Sequence, residues 1–194
     1  MTYEELLKEV EIKFTNYPKR LTHTLGVVGM AERLAIKYNL NVNDAKIAAL
    51  LHDYTKYETL EFHKEYISED LFVKYQNNKA LYHALSAKNY VNQEFNIKNK
   101  EILNAINNHV YGRIGMSTFE KVILISDKIE ENRDYPKVKE FRELAFENLD
   151  LTLILFLEDA IKHNKQRNIE ILDEQYEIIN YLKKENHEKN TGNN

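Results

Sequence analysis

The scarcity of turn-forming residues is the feature that most limits how this chain can fold. Its 194 residues include five Gly and two Pro, whereas a many-stranded sheet needs Gly, Asn or Asp in tight turns at close intervals. The longer stretches of the chain carry apolar residues at helical spacing. With hydrophobic (43%) and charged (30%) fractions that are ordinary for globular proteins, the sequence predicts one all-α domain.

Capping patterns and apolar periodicity indicate where the helices begin. Thr2 with Glu5, and later Ser117 with Glu120, have the spacing of a capping box. A second helix is predicted to have Pro18 in its first turn, and a third to be capped by Asn43 or Asp44. Further helices are predicted over 68–76, 80–95, 102–112, 138–163 and 169–182. The segment 122–125 would also fit a short strand, but the spacing around it favours a helix. The tail, 185–194, is predicted to be disordered.

Charge and composition exclude several classes of protein. A net charge of −4 gives no basic field for a long nucleic acid or an anionic membrane. The longest apolar stretch, 151–157, is too short to span a bilayer, and the first residues are acidic where a signal peptide needs an apolar core. Because the chain has no Cys, a transition-metal site would need His and carboxylate ligands. We therefore expect a cytoplasmic protein in which any phosphate ligand would have to be held by a local site.

Ionisable residues interrupt several of the apolar helices. They are His23, His52, Asp53, His83, His109 and Asp127. Asp127 follows Ile123 by four residues and shares its inward face, where an unpaired carboxylate is costly. A divalent cation would compensate it, since imidazole and carboxylate suit iron, manganese or zinc. A lone buried His is more often hydrogen-bonded in a core, but the whole set is harder to explain in that way. We expect the remaining histidines, His63, His163 and His187, on the surface.

The order of these residues resembles a known signature. His23, then His52 with Asp53, then Asp127 is similar to the H…HD…D pattern of the HD-domain metal-dependent phosphohydrolases, an all-helical superfamily. The segments HTLGV, HDYTK, NHVYGRIGMS and SDKIEENR, with the helix that bears His83, are together similar to the YqeK family of bacterial symmetrical dinucleoside tetraphosphatases. The resemblance covers roughly residues 1–182 and implies a single HD-domain helical bundle, which we place at 1–184, with a buried metal site.

The resemblance also implies an activity and a set of site residues. The activity is hydrolysis of diadenosine tetraphosphate into two ADP, at iron or a similar divalent ion held by His23, His52, Asp53 and Asp127. Contacts to the phosphates are implied for Lys56, His83, His109 and Arg133, and a wall around the base for Glu170, Ile171, Leu172, Asp173, Glu174 and Gln175. Two departures from the family pattern bear on substrate fit. The family usually has a Pro and a Gly within a few residues after His83, whereas this chain has HALSA, and the position after Asp127, usually Tyr, is Lys128.

The same chemistry follows from the residue types. A cation on two imidazoles and two carboxylates keeps open positions for a phosphate oxygen and a water, whose pKa it lowers, so that metal-bound hydroxide is the expected nucleophile. His83 and His109 would contact phosphate or bind a second metal bridged by Asp53, and phosphate contact is slightly favoured. Weaker candidates for phosphate contact are Arg20, Arg113 and Lys128. Three tyrosines near the ligands could stack on a base: Tyr54, Tyr82 and Tyr111.

Two other functions share the predicted metal site. One is a different HD phosphohydrolase, such as a nucleotidase or phosphodiesterase, and the other is a nucleotide-binding regulator with little turnover. All of these readings expect a dinucleoside polyphosphate or an ADP- or GDP-type nucleotide as the ligand. A homodimer would use an exposed apolar face on one of the last helices.

Overall fold

The structure, a computed structural model, describes residues 1–191 and contains eleven α-helices within that range and no strand. The helices are α1 (Tyr3–Lys13), α2 (Pro18–Lys37), α3 (Val42–Leu51), α4 (Leu60–Tyr66), α5 (Glu69–Lys74), α6 (Tyr82–Gln93), α7 (Lys100–Asn108), α8 (Thr118–Ile129), α9 (Val138–Glu147), α10 (Leu149–Gln166) and α11 (Asp173–Thr191). A 3-10 turn, Lys79–Leu81, precedes α6. The predicted all-α class is confirmed, and 122–125 is helical within α8.

Three of the four helix starts for which the sequence predicts a cap or a first-turn Pro form as predicted. Thr2 and Ser117 each accept from a backbone N–H three residues on, and both capping boxes are complete. Pro18 lies at the first position of α2, as its fixed φ favours. Only the start of α3 differs, because Asn41 is extended and its side chain accepts from Asp44 N. That cap begins the helix earlier than the sequence predicted.

The helix predicted over 138–163 is two helices that meet at Asn148. This residue is extended (φ −146°, ψ 95°), and its N–H donates to Leu144 O at the end of α9. Its side chain accepts from Leu151 N at 2.9 Å and caps α10. One polar residue thus ends one helix and starts the next. The sequence also placed no helix at α4 and began the last helix at Ile169, whereas α11 begins at Asp173.

The last helix continues into the tail that was predicted to be disordered. Buried Lys121 on α8 donates to Asp150 Oδ1 at 2.8 Å and to Glu185 Oε2 at 2.9 Å. Lys189 donates to Asp150 Oδ2 at 2.6 Å. These long-range pairs hold α11 against α8 and α10, so the helix passes the boundary predicted at residue 184 and extends to Thr191. The prediction of disorder for 192–194 lies outside the described residues.

Helices α2 and α8 are shared by two apolar cores. The inner residues of α1, α3, α6 and α7 form one core, to which Val27 of α2 and Ile123 of α8 belong. The other contains residues of α9, α10 and α11 with Leu34 of α2 and Leu124 of α8. Polar side chains on the inner faces of these two helices, such as His23, Thr24 and Asp127, are therefore buried. None of the described helices is both long and apolar enough to cross a bilayer.

Candidate active site

Five helices bring a cluster of imidazoles and carboxylates to one buried point. One residue lies on α2, two directly follow α3, one lies near the start of α6, one directly follows α7, and the last lies near the end of α8: His23, His52, Asp53, His83, His109 and Asp127. All six are buried. These six residues, which span more than half of the chain in sequence, thus meet in space.

The rings of His52 and His109 are oriented by the same kind of local hydrogen bond. Each residue follows the last residue of its helix, and each Nδ1 lies beside the carbonyl oxygen three residues earlier, at 2.6 Å for Ala49 and 2.7 Å for Ile106. Because a carbonyl can only accept, Nδ1 carries the proton in both rings. Nε2 of each imidazole then carries the lone pair, and in both residues it faces the carboxylates of the cluster.

His23 is oriented by Glu130, a residue that the sequence analysis did not select. Glu130 is 1% exposed, and its Oε1 lies 3.1 Å from His23 Nδ1. Its Oε2 accepts from the backbone and side-chain amides of Asn132, at 2.6 and 2.9 Å. Gly26 makes room for this carboxylate, since a Cβ there would meet it directly. Glu130 lies just past α8, outside its apolar stripe, so periodicity gave no signal for it.

The surroundings hold the two aspartates ionised. Burial acts to raise the pKa of Asp53, but the charge of His52 and the nearby imidazoles of His109 and His83 outweigh it and hold that pKa well below its ordinary value. Burial likewise acts against ionisation of Asp127, and the charge of Lys128 with the His23 imidazole lowers its pKa well below the usual range. Both carboxylates are available as anionic ligands at neutral pH.

Burial keeps two of the imidazoles neutral. It lowers the pKa of His83 to about 3 and also lowers the pKa of His109. A neutral imidazole has a free lone pair and is the form that binds a metal or accepts a proton. The pKa of His52 behaves differently: burial would lower it, and the charge of Asp53 raises it instead.

The donor set fits a divalent transition-metal ion. Three overlapping groups each have ligand atoms within 4.8 Å of one another: His23, His52 and Asp53; His52, His109 and Asp127; Asp53, His83 and His109. Within the described part of the chain, His23 Nε2, His52 Nε2 and Asp53 Oδ1 are buried atoms with no hydrogen-bond partner. Such atoms are costly unless something else satisfies them, and nitrogen and oxygen donors suit iron, manganese or zinc.

Four cationic side chains lie against the two aspartates. Arg20 Nη1 is 2.5 Å from Asp53 Oδ2, and Lys56 Nζ is 3.6 Å from Asp53 Oδ1. Lys128 Nζ donates to Asp127 Oδ2 at 2.6 Å, and Arg133 donates to Asp127 Oδ1 at 2.9 Å. Since the whole protein carries a net charge of −4, this is a local concentration of positive charge of the kind that a polyphosphate requires.

Arg113 does not join these cations. Its Nε and Nη2 donate to the two carboxylate oxygens of buried Glu120, at 2.8 and 2.7 Å. Glu120 also accepts from Ser117 N at 2.8 Å within the capping box. The arginine therefore ties the Gly-containing loop to the start of α8, which is a structural role rather than the phosphate contact that the sequence suggested.

A wide cleft opens beside the cluster, and we call it the Tyr111 cleft. Its volume is about 510 Å³, and its wall includes Tyr111, Lys128, Arg133, Phe156 and Gln175. From the predicted base-binding segment, Gln175 lines this cleft, while Leu172 and Glu174 line a smaller neighbouring cavity. Glu170 and Asp173 are exposed and Ile171 is half-buried at the edge of the second core.

The other aromatic candidates belong to the interior. Tyr54 is buried and stacks on Tyr90 at 5.4 Å between ring centroids. Tyr82 is buried and donates to Phe72 O at 2.6 Å. Tyr111 donates to Asn78 Oδ1 at 3.1 Å, which fixes its ring at the cleft. Of the three, only Tyr111 lines the cleft.

His63 is buried, contrary to the surface position that its sequence context predicted. Its Nδ1 lies 2.9 Å from Ser86 Oγ, which in turn lies 2.8 Å from Thr55 Oγ1. Thr55 donates to the carbonyl oxygen of His83 at 2.7 Å. Ser86 belongs to the HALSA segment, so this departure from the family pattern supplies a hydroxyl that helps to fix the backbone of His83.

The comparisons with known proteins agree with this geometry. A family model described as HD domain matches residues 20–140. A symmetrical bis(5'-nucleosyl)-tetraphosphatase of Bacillus subtilis (strain 168) is 33% identical over 184 residues, which are 94% of this chain and 98% of the relative. A protein of the same name from Halalkalibacterium halodurans is 33% identical over 84% of this chain and 88% of its own length.

A solved structure shares the fold as well. It is described as a predicted HD superfamily hydrolase involved in NAD metabolism, from Clostridium acetobutylicum. The two chains are 31% identical with a TM-score of 0.86, and the match covers 95% of this chain and 98% of the other. The chain therefore belongs to the HD-domain hydrolases and, within them, to the family of the symmetrical bis(5'-nucleosyl)-tetraphosphatases.

Proposed function

We propose that this protein is a metal-dependent hydrolase that splits diadenosine tetraphosphate symmetrically into two ADP. The observation that carries the proposal is the buried cluster of four imidazoles and two aspartates with four cations against it. Such a site suits hydrolysis of a phosphate chain, because the cluster can hold a cation and the basic side chains can hold the phosphates. The names of the B. subtilis and H. halodurans relatives supply the substrate.

His23, His52, Asp53 and Asp127 are the proposed metal ligands, and iron is the proposed metal. When bound, a divalent ion would lower the pKa of a water molecule and offset negative charge on the phosphoryl group. Manganese or another ion would suit the same donors. Asp53, His83 and His109 form a further group at ligand distance, so a second ion there is the alternative to direct phosphate contact by the two histidines.

The remaining site residues bind and orient the phosphates. Lys56 Nζ lies 3.1 Å from His83 Nε2 and 3.6 Å from Asp53 Oδ1, so a phosphate oxygen beside the cluster would meet its ammonium group. Arg133 is held by Asp127 through both a side-chain and a backbone oxygen and leaves part of its guanidinium exposed. In the reaction, the water oxygen bonds to a central phosphorus, and the bridging P–O bond breaks to release the second ADP.

The Tyr111 cleft is the proposed site of one nucleoside. Its volume of about 510 Å³ lies in the range of small-molecule sites. Lys128 and Arg133 belong both to its wall and to the charged rim of the cluster. A substrate half could therefore place its phosphates on these cations and its base against Tyr111. A cytoplasmic location and a homodimer remain predictions beside this proposal.

Product analysis tests the function directly. Anaerobically purified, iron-loaded protein would be incubated with diadenosine tetraphosphate, and its products separated by anion-exchange chromatography. We expect ADP alone, with no product from metal-free protein or from Asp53→Ala, which also loses bound metal. AMP plus ATP would overturn the symmetrical cleavage. No turnover would direct attention to a nucleotidase and phosphodiesterase panel, and then to a binding-only regulator. Iron analysis decides the role of His83 and His109: one iron per chain favours phosphate contact by these histidines, and two favour a second metal there.

A further inference from the structure

A second cavity opens at the same cluster, and we call it the Tyr57 cavity. Its volume is about 400 Å³, within the range of small-molecule sites. The residues of its wall that carry the argument are Lys19, Arg20, His23, Tyr57 and Arg133. None of the predicted base-binding residues, 170–175, is part of this described wall. The cavity is thus a distinct space that the proposed nucleoside site does not use.

Arg133 connects the two spaces. It lines both the Tyr111 cleft and the Tyr57 cavity, and it donates to Asp127 of the cluster at 2.9 Å. His23, another proposed metal ligand, lies in the wall of the Tyr57 cavity. The two spaces therefore adjoin at the cluster. A substrate cleaved at its centre needs this arrangement, because an identical nucleotide half extends from each side of the broken bond.

The charges that face the Tyr57 cavity suit phosphate groups. Lys19, Arg20 and Arg133 are cationic. The acidic residue in the wall, Glu130, is buried and engaged with His23 and Asn132. Arg20 reaches in two directions: Nη1 lies 2.5 Å from Asp53 Oδ2, and Nε lies 3.4 Å from the Tyr57 hydroxyl. A path of positive charge thus runs from the cluster to the aromatic edge of the cavity.

Two exposed tyrosines form an aromatic surface at this edge. The rings of Tyr17 and Tyr57 stack with 4.2 Å between centroids and 20° between planes. Buried Phe14 supports Tyr57 edge-on at 6.5 Å. Even so, Tyr17 remains 43% exposed and Tyr57 48% exposed. Fixed, exposed aromatic rings beside cationic groups are what a nucleobase and its phosphates recognise.

We infer that the Tyr57 cavity is the second nucleotide subsite, which binds the ADP half opposite the one in the Tyr111 cleft. The inference rests on the proposed function for the identity of the whole substrate. It assigns Lys19 and Arg20 to the phosphates of that half and the exposed ring surface of Tyr57 to its base. Specificity for a substrate with two nucleosides, rather than one, then follows from a pair of subsites that share Arg133.

Counting ADP sites tests the inference without any turnover. Metal-loaded wild-type protein, titrated with ADP in a calorimeter, should bind two equivalents, and the double variant Lys19→Ala/Tyr57→Leu should bind one. Tyr57→Phe keeps the ring and should bind two. Lys139→Ala removes an exposed lysine on α9 and serves as the matched control. One equivalent in the wild type, or loss of both in the double variant, would overturn the inference.

A kinetic comparison adds a second readout. Adenosine 5'-tetraphosphate has one nucleoside, which can use the Tyr111 cleft, and cleavage of the same bond gives ADP and pyrophosphate. Tyr57→Leu should lower the ratio of kcat/KM for diadenosine tetraphosphate over that for adenosine tetraphosphate about tenfold, as expected for one lost stacking contact. An unchanged ratio would contradict the inference. If the wild type binds two ADP but cleaves neither substrate, the proposed function is wrong and the subsite stands.

Discussion

His23 and Glu130 lie 107 residues apart in sequence, and Nδ1 of the imidazole lies 3.1 Å from a carboxylate oxygen of Glu130. Because a carboxylate accepts, a proton on Nδ1 suits this contact, and the lone pair is then on Nε2, where a metal ion would bind. Nε2 in turn lies 3.0 Å from Asp127 Oδ1. Two acceptor atoms that face each other at this distance are stabilised by a cation, so Glu130 prepares His23 as a ligand.

Glu130→Gln should weaken metal binding. The amide keeps the shape of the side chain but loses the charge that supports the imidazole, and the loss of such a partner lowers metal affinity about 10- to 100-fold. Titration of metal-free protein with Mn(II) or anaerobic Fe(II) would measure the change. Glu131→Gln is the control, since the neighbouring Glu131 is exposed and pairs with Arg33. Equal affinities in the two variants would contradict the role of Glu130.

Replacing either of two glycines on α2 by alanine should have a different effect: one change should stabilise the fold, and the other should weaken metal binding. At Gly26, a Cβ would meet the Glu130 carboxylate and lie 2.9 Å from Asn132 Nδ2, whereas a Cβ at Gly29 would have no described atom within 4 Å apart from its own stretch of helix. Gly29→Ala should raise the free energy of unfolding by about 0.4–1 kcal/mol, because alanine restricts the unfolded chain. Gly26→Ala should instead displace Glu130 and lower metal affinity. Urea unfolding and metal titration of both variants check the pair.

Alanine substitution should distinguish the roles of Arg133 and Arg113, both of which the sequence predicted to contact the phosphates. Arg133→Ala should raise KM for diadenosine tetraphosphate or lower kcat while metal content stays unchanged, because Arg133 contacts the cluster rim and both nucleotide spaces. Arg113→Ala should leave KM unchanged and destabilise the fold by about 1.5–3 kcal/mol, the value of a hydrogen-bonded charged group, since Glu120 is buried beneath it. A raised KM in Arg113→Ala would restore its predicted phosphate contact.

The residues of the cluster could be identified from the sequence because they interrupt an apolar pattern. An aspartate such as Asp127 on an apolar stripe signals an inward-facing charge from local spacing alone, and its order with the histidines adds the family resemblance. Helix starts were predictable for the same reason, since the caps at Thr2 and Ser117 involve residues three positions apart. Features that depend on residues close together in the chain can therefore be predicted from the sequence.

The features that the sequence missed depend on contacts between different structural elements. Glu130 is recognisable only once α2 lies beside the end of α8, and the buried His63 contacts Ser86 and the ring of Tyr82 on α6. Arg113 looked free in a Gly-containing loop, but folding places Glu120 beneath it. In each of these cases the partner decides the role, and no periodicity within one helix identifies the partner.

The buried lysine on α8 should couple the last helix to the rest of the fold. Lys121→Met keeps the length of the side chain but removes the ammonium group that Asp150 and Glu185 share. We expect the free energy of unfolding at pH 7 to fall by about 1.5–3 kcal/mol, with faster amide hydrogen exchange over 185–191. Lys162→Met, at an exposed position of α10, is the control and should change neither quantity.

The effect of Lys121→Met should also depend on pH. Burial acts to raise the pKa of Asp150, but hydrogen bonds from Lys121 and Lys189 outweigh it and lower that pKa below its ordinary value of 3.8. A carboxylate with a depressed folded pKa contributes stability above its unfolded pKa and loses it as the pH falls through the folded value. The difference between wild type and Lys121→Met should therefore be constant near neutral pH and shrink below pH 3.8. Urea unfolding across this range measures it, and a difference that stays constant on acidification would show that Lys121 acts through packing rather than through its pairing with Asp150.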